Sequence, residues 1–347
     1  MNAYKKINSS GYINLGRKST VLPPYQAQRF WCGGDLQTLK SSLVRSGAFS
    51  ESSYKSQHLI IYPCDGSNDQ LHATVYFPET VKPIPLILLV HGLTGSETSE
   101  YMQNTAHYFL TSGYKVMCLN LRGAGPSVNS CRERYHAGRS IDIKYTLDSI
   151  PKSLKNDGVF IIGFSLGGNI ALKFASENKN DKSVKAVATV CAPINLRKTQ
   201  IQMMRKRNYF YHKYLLNKMK QQYLLALSPN GIDAAKINHI KSIYQYDDEI
   251  VAPENHFRNA LDYYTKCSTY ERLDEITIPC LLIHSKTDPW IPYTIYTDLK
   301  LKHKTTISVV ITNDGGHVGF YSRLQQTPWY NVAIAQYFND ILSVNDS

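Results

Sequence analysis

The stretch Gly163-Phe164-Ser165-Leu166-Gly167-Gly168 constrains this chain more than any other. It stands directly after the apolar run Val159–Ile162 and directly before a segment of helical periodicity, Leu166–Glu177. A Gly-x-Ser-x-Gly pentapeptide between a strand and a helix needs a sharp, strained turn, with glycines where side chains would collide with neighbouring backbone. Such a turn lifts the serine Oγ above a sheet edge and sets it at the positive end of a helix. The bare pentapeptide also arises by chance as a glycine-rich turn, so the strand–turn–helix setting carries the reading.

That setting recurs along the chain. Apolar, β-branched runs appear at Leu59–Tyr62, His72–Phe77, Pro85–Val90, Lys115–Leu121, Val159–Phe164, Val184–Val190, Pro279–His284 and Ile307–Ile311. Between most of them lie segments with helical spacing, such as Glu100–Ser112 and Gly138–Ile150. The first two runs are close enough to pair as a hairpin. The later ones imply right-handed βαβ crossovers, hence an eight-stranded, mostly parallel sheet with helices on both faces. Residues 1–30 are polar and read as a flexible N-terminal arm, with the main domain over 31–347. A long helical segment, about 197–275, interrupts the rhythm and reads as a lid insertion over the C-terminal edge of the sheet. Its first part, Arg197–Leu227, is rich in Lys, Arg and Tyr and has no acidic residue.

Three further features complete a chemistry around Ser165. His91-Gly92-Leu93-Thr94-Gly95 ends the most apolar run, where a loop can offer the backbone N–H of Leu93 to a developing oxyanion, with that of Leu166 as its partner. His91 heads this loop and is expected to shape it. His317, flanked by Gly315-Gly316 and Gly319 after the last run, is the candidate base among eleven histidines. Asp288, just beyond the run Pro279–His284, is the candidate acid. Asp314 lies too close to His317 and is expected to shape its turn. The order Ser165, Asp288, His317 is that of a serine nucleophile with an aspartate-held imidazole on an α/β sheet.

Composition narrows the alternatives. Seven cysteines, scattered and never spaced as Cys-x-x-Cys, argue against a zinc site and a secreted disulfide framework. No apolar run follows Met1–Lys6 and none approaches a membrane span, so the expectation is a soluble, cytoplasmic protein. The net charge of +12 admits nucleic acid, an anionic lipid surface or an acidic substrate, or no partner at all. No zinc finger, RNA-recognition signature or phosphate-binding loop is present, so nucleic acid is not expected.

With these residues in place, the chain resembles the AB hydrolase-4 family of the α/β-hydrolase fold, which includes YheT-type carboxylesterases and yeast medium-chain ethyl ester synthases. The resemblance runs from about Phe30 to the C-terminus. It is carried by His91–Ser96, Leu121-Arg122-Gly123, Tyr135-His136-Ala137-Gly138, Gly163–Asn169, Tyr246-Asp247-Asp248, Asp262-Tyr263-Tyr264 and Gly315–Phe320. Asp35-Leu36-Gln37-Thr38 is similar to the family's N-terminal HLQT-type block, with Asp35 in place of the usual histidine. The resemblance implies a charge relay of Ser165, Asp288 and His317, no cofactor or metal, and hydrolysis of short- to medium-chain carboxylic esters or lipids. Acyl transfer, thioester cleavage and an inactive binding protein on the same fold are the alternatives. The basic, aromatic segment leads to one further expectation, peripheral contact with anionic membrane.

Overall fold

The computed structural model describes residues 22–43, 49, 51–225, 234–301 and 306–345. Eight strands form one sheet in the order β1-β2-β4-β3-β5-β6-β7-β8. They are β1 (Lys55–Ile61), β2 (Leu71–Phe77), β3 (Leu86–Val90), β4 (Val116–Asn120), β5 (Val159–Phe164), β6 (Val184–Val190), β7 (Cys280–Ser285) and β8 (Ile307–Thr312). β2 runs antiparallel to both β1 and β4, and every other pairing is parallel. Every residue of β3, β4, β5, β7 and β8 is buried, as expected for parallel strands covered on two faces.

The helices up to the end of β6 are α1 (Gly34–Leu43), α2 (Glu100–Thr111), α3 (Ile141–Ser149), α4 (Lys152–Lys155) and α5 (Leu166–Glu177). Between β6 and β7 come α6 (Leu196–Met203), α7 (Tyr209–Leu225), α8 (Ala234–His239), α9 (Ile243–Tyr246), a π-helical turn Asp247–Val251, α10 (Ala252–Glu254) and α11 (Ala260–Cys267). α12 (Thr294–Thr297) and α13 (Trp329–Asn345) follow. The pleat of β5 sorts these helices into two layers. Phe160 stacks on Phe338 of α13 at 4.1 Å, and Phe164 meets Tyr101 of α2 and Tyr330 of α13. Gly163, one residue out of phase, turns its Cα to the start of α5 on the other face.

The segment between β6 and β7 has an apolar cluster of its own, in which Leu215, Met219, Tyr223, Ile240 and Ile250 are buried. It meets the main body through Leu93 and Trp290.

The N-terminal stretch divides differently from the expected arm. Residues 1–21 lie outside the described residues, but residues 22–28 pack on the body and are no free arm. Tyr25 is buried edge-on against Phe320 and Trp329, and the Trp329 indole N–H donates to the Pro23 carbonyl (2.9 Å). Ala27 bridges Ser322. One tyrosine with a prepared aromatic niche outweighs the polar composition around it.

Candidate active site

Ser165 follows β5 with φ 50° and ψ −121°, a left-handed conformation that a side chain rarely adopts. Neighbouring backbone holds it there. Its N–H donates to the Val190 carbonyl of β6, and its carbonyl accepts the Gly168 N–H at the start of α5, both at 2.9 Å.

His317 and Asp288 converge on this serine from loops after β8 and β7. The His317 Nδ1–H donates to Asp288 Oδ2 at 2.9 Å. The ring's Nε2 therefore carries the lone pair, and it lies 2.9 Å from Ser165 Oγ. The second oxygen of Asp288 accepts the N–H groups of Trp290 (2.8 Å) and Ile291 (3.1 Å). Burial alone would push this carboxyl up. The electrostatic pull of the His317 ring and its hydrogen bond, with the His284 ring and the Trp290 N–H, outweigh that and hold it below the usual carboxylate range.

Several partners that hold His317 in place escaped the sequence reading. Trp290 stacks on the imidazole at 4.3 Å, and Thr38 Oγ1 accepts the His317 N–H at 2.7 Å. Gln37 clamps Tyr321 from both sides, accepting its N–H (2.7 Å) and donating to its carbonyl (3.0 Å). The Asp35–Thr38 block thus cradles the histidine loop. The approach is so close that a Cβ on Gly319 would lie 2.0 Å from the Gln37 carbonyl oxygen, which accounts for the glycine there. Asp35 turns outward and accepts from Arg207 (2.8 Å) and Tyr211 (3.1 Å) of the β6–β7 segment. Thr38 stood within a recognisable block, but its contact with His317, like that of Trp290, had no sequence signal.

The expected oxyanion donors lie in the same place. Leu93 and Leu166 line one cavity with Ser165 and His317, and neither N–H has a hydrogen-bond partner among the described residues. Gly92 lies so near Ser165 that a Cβ on it would sit 3.0 Å from Ser165 Cβ. His91 is wholly buried, and burial lowers its pKa to about 4. Its Nε2 accepts the Leu121 N–H (3.1 Å), so its Nδ1–H donates to the Gly92 carbonyl (2.8 Å). It braces the loop. Asp314 accepts the N–H groups of Gly33 and Gly315, shaping the turn beside His317 as expected.

The cavity is about 880 Å³ and reaches from this cluster under the β6–β7 segment. Leu215, Met219, Ile243, Ile250 and Tyr211 are among its walls. Among the described residues, one group could hold a metal ion: Cys191, His284 and Asp288, all buried. Its chemistry does not suit a metal. Asp288 is committed to His317, and burial pushes the Cys191 thiol well up, so it stays protonated.

A carboxyl in the cavity wall, Asp247, has no ion-pair partner among the described residues and accepts the Tyr264 hydroxyl (2.6 Å). Burial pushes it up to about 7, with Asp248 adding to the effect. The unfolded chain releases this proton near pH 3.9, so across the window from about 4 to 7 the folded state binds more protons and stability falls as pH rises. Asp247→Asn keeps the acceptor for Tyr264 and removes the ionisation. It should be more stable than wild type at about pH 8, by roughly 2–4 kcal/mol, with the gain fading toward about pH 5. Urea midpoints at the two pH values check this; a gain independent of pH would contradict it.

A family model described as alpha/beta hydrolase fold matches residues 85–324. The chain belongs to this family. This α/β hydrolase is 29% identical over 247 residues to YheT of Escherichia coli, named as an esterase, covering 70% of this chain and 72% of that one. It is 25% identical over 273 residues to a monoacylglycerol lipase of Saccharomyces cerevisiae (75% and 61% covered). It is also 25% identical over 288 residues to that yeast's medium-chain fatty acid ethyl ester synthase/esterase 2 (74% and 62%). The chain thus spans less than two thirds of the two yeast relatives. Among solved structures, an esterase of Pyrococcus furiosus shares the fold with TM-score 0.55 at 18% identity, covering 83% of this chain and 93% of that one. Among the described residues, no helix is long and apolar enough to cross a membrane.

Proposed function

We propose that this α/β hydrolase cleaves carboxylic esters of short- to medium-chain acyl groups through an acyl-enzyme on Ser165. The observation that carries this reading is the continuous hydrogen-bonded line from Asp288 through His317 to Ser165 Oγ, opening into a largely apolar cavity. The names of the bacterial and yeast relatives, esterase and lipase, point the same way.

His317 takes the Ser165 proton as Oγ attacks the ester carbonyl. The oxygen that becomes negative faces the N–H groups of Leu93 and Leu166, each worth on the order of 10²–10³ in rate. Asp288 remains ionised and stabilises the imidazolium without accepting its proton. His317 then protonates the leaving alcohol. Water, activated by the same imidazole, releases the acid and restores the serine.

The segment between β6 and β7 acts as the lid in this reading, walling the acyl site with Leu215, Met219 and Ile250. A fluorophosphonate probe tests the proposal directly: it should label the protein once, on Ser165. An unlabelled protein with no turnover of p-nitrophenyl esters from acetate to palmitate would sink it. Adding an alcohol during turnover separates hydrolysis from acyl transfer, since a transferase accumulates the new ester.

The outer face of the lid supports contact with anionic membrane. Tyr209, Phe210 and Tyr214 are exposed, Phe210 by 82%, and Arg205, Lys206, Lys213 and Lys218 form no ion pair among the described residues. Phe210 and Tyr214 also line the cavity, so this face adjoins the substrate's way in. Sedimentation with liposomes should show binding that needs anionic lipid and weakens with salt. Binding independent of both would rule out this contact.

A further inference from the structure

The block Tyr135–Gly138 has no task in the acyl-transfer steps, yet its first residue reaches the loop that carries one oxyanion donor. That loop, 92–95, is held on both sides of Leu93. The Gly92 N–H donates to the Tyr101 hydroxyl (2.9 Å), and the Thr94 N–H donates to the Tyr135 hydroxyl (2.7 Å). The Gly92 carbonyl accepts from His91 Nδ1 (2.8 Å) and from the Gly95 N–H (3.1 Å). In a trans peptide the C=O and N–H point opposite ways, so holding the Gly92 carbonyl aims the Leu93 N–H in the other direction. Of the three consecutive amides from Gly92 to Thr94, the middle one is left without a partner among the described residues. Thr94 sits at φ +59°, a strained position for a residue with a branched side chain, and needs an anchor to stay there.

That anchor also reaches the lid. The Tyr135 hydroxyl accepts from Thr94 and donates its own proton to Gln222 Oε1 of α7 (3.1 Å). Gln222 Nε2 donates to the Gly123 carbonyl (3.5 Å), which orients the amide so that its oxygen faces Tyr135. Burial pushes the phenol up, so the hydroxyl keeps its proton. The ring packs edge-on to His91 at 5.6 Å, a contact that phenylalanine would retain.

We propose that Tyr135 is a positioning residue for the oxyanion site, coupling the position of lid helix α7 to the Leu93 N–H through Gln222 and Thr94. This rests on the ester-cleavage reading above. Through this coupling a displacement of α7 alters the donor that stabilises the transition state. The lid thereby governs rate as well as access.

The test uses full-length wild type, Tyr135→Phe and Gln222→Leu. For p-nitrophenyl butyrate, Y135F should lower kcat by about tenfold to a hundredfold with KM within about twofold. Q222L should lower it in the same direction by a smaller factor. A trifluoromethyl ketone, whose adduct with Ser165 carries the oxyanion, should bind Y135F more weakly by the factor lost in kcat. The matching secondary alcohol, which forms no adduct, should bind equally well. Unchanged kcat and ketone affinity in Y135F would overturn the inference, as would equal weakening of ketone and alcohol, which would make Tyr135 a cavity wall. Should Y135F fail to fold, Q222L decides by the same comparison. A wild type that neither turns over esters nor takes the fluorophosphonate overturns the ester reading and this inference together. An active wild type with an unaltered Y135F overturns this inference alone.

Discussion

Ser165→Ala should reduce ester turnover by on the order of 10⁴–10⁶-fold while leaving the melting temperature close to that of wild type. The expected size follows from the arrangement. Ser165, His317 and Asp288 form one hydrogen-bonded unit, so in the proposed mechanism removing the first member idles the other two. Residual catalysis would come from substrate binding and the Leu93 and Leu166 amides. Alanine should also be tolerated structurally, because the turn is held by backbone bonds to Val190 and Gly168 and not by Oγ. Asp288→Asn should cost on the order of 10⁴ in kcat for a different reason: an amide nitrogen facing Nδ1 favours the tautomer in which Nε2 holds the proton. Steady-state kinetics on a p-nitrophenyl ester measure both. A Ser165→Ala protein with wild-type turnover would place the nucleophile elsewhere.

Arg122→Ala should destabilise the fold by about 3–5 kcal/mol and lower the melting temperature by about 4–7 °C. The guanidinium is fully buried and serves several carboxylates at once. It grips both oxygens of Asp142 (2.7 and 3.2 Å) and reaches Asp69 (3.0 Å), Asp65 (2.8 Å) and Glu133 (3.1 Å). The Asp142 and Asp69 side chains are 0% and 1% exposed, so removing the arginine takes its cation from two buried carboxylates. Asp69 further accepts the N–H groups of Arg132 and Glu133, and the Arg122 carbonyl accepts that of Tyr135. The network therefore underlies the segment that presents Tyr135 to the oxyanion loop. Thermal melts followed by circular dichroism check the prediction. A melting temperature within about 2 °C of wild type would show that water replaces the guanidinium without loss.

Much of the candidate site was legible because its parts are local. The turn at Ser165 is written in six residues whose glycines sit where the backbone allows no side chain. Asp288 and His317 each follow an apolar strand run by a few residues, so their placement at one sheet edge follows from parallel crossovers. The contacts that hold these groups were not legible. Thr38 meets His317 across 279 residues, and Tyr135 meets Thr94 across 41. No periodicity marks a hydroxyl that will find an amide so far away in the chain.

Residues 22–28 show the same division from the other side. Their composition reads as loose, and one niche formed by Phe320 and Trp329 captures Tyr25 and orders the stretch. By itself, then, the sequence determined the α/β class and the strand count, and it singled out Ser165, Asp288 and His317 as the proposed triad, because apolar periodicity and backbone strain act over a handful of neighbours. The tertiary structure decided the rest: Trp290 stacked on His317, Arg122 among its carboxylates, and Leu93 as the amide without a partner among the described residues, between two tyrosine-held neighbours. Those depend on which side chains packing brings within about 3 Å of each other, and hydrogen bonds are satisfied in space, not along the chain.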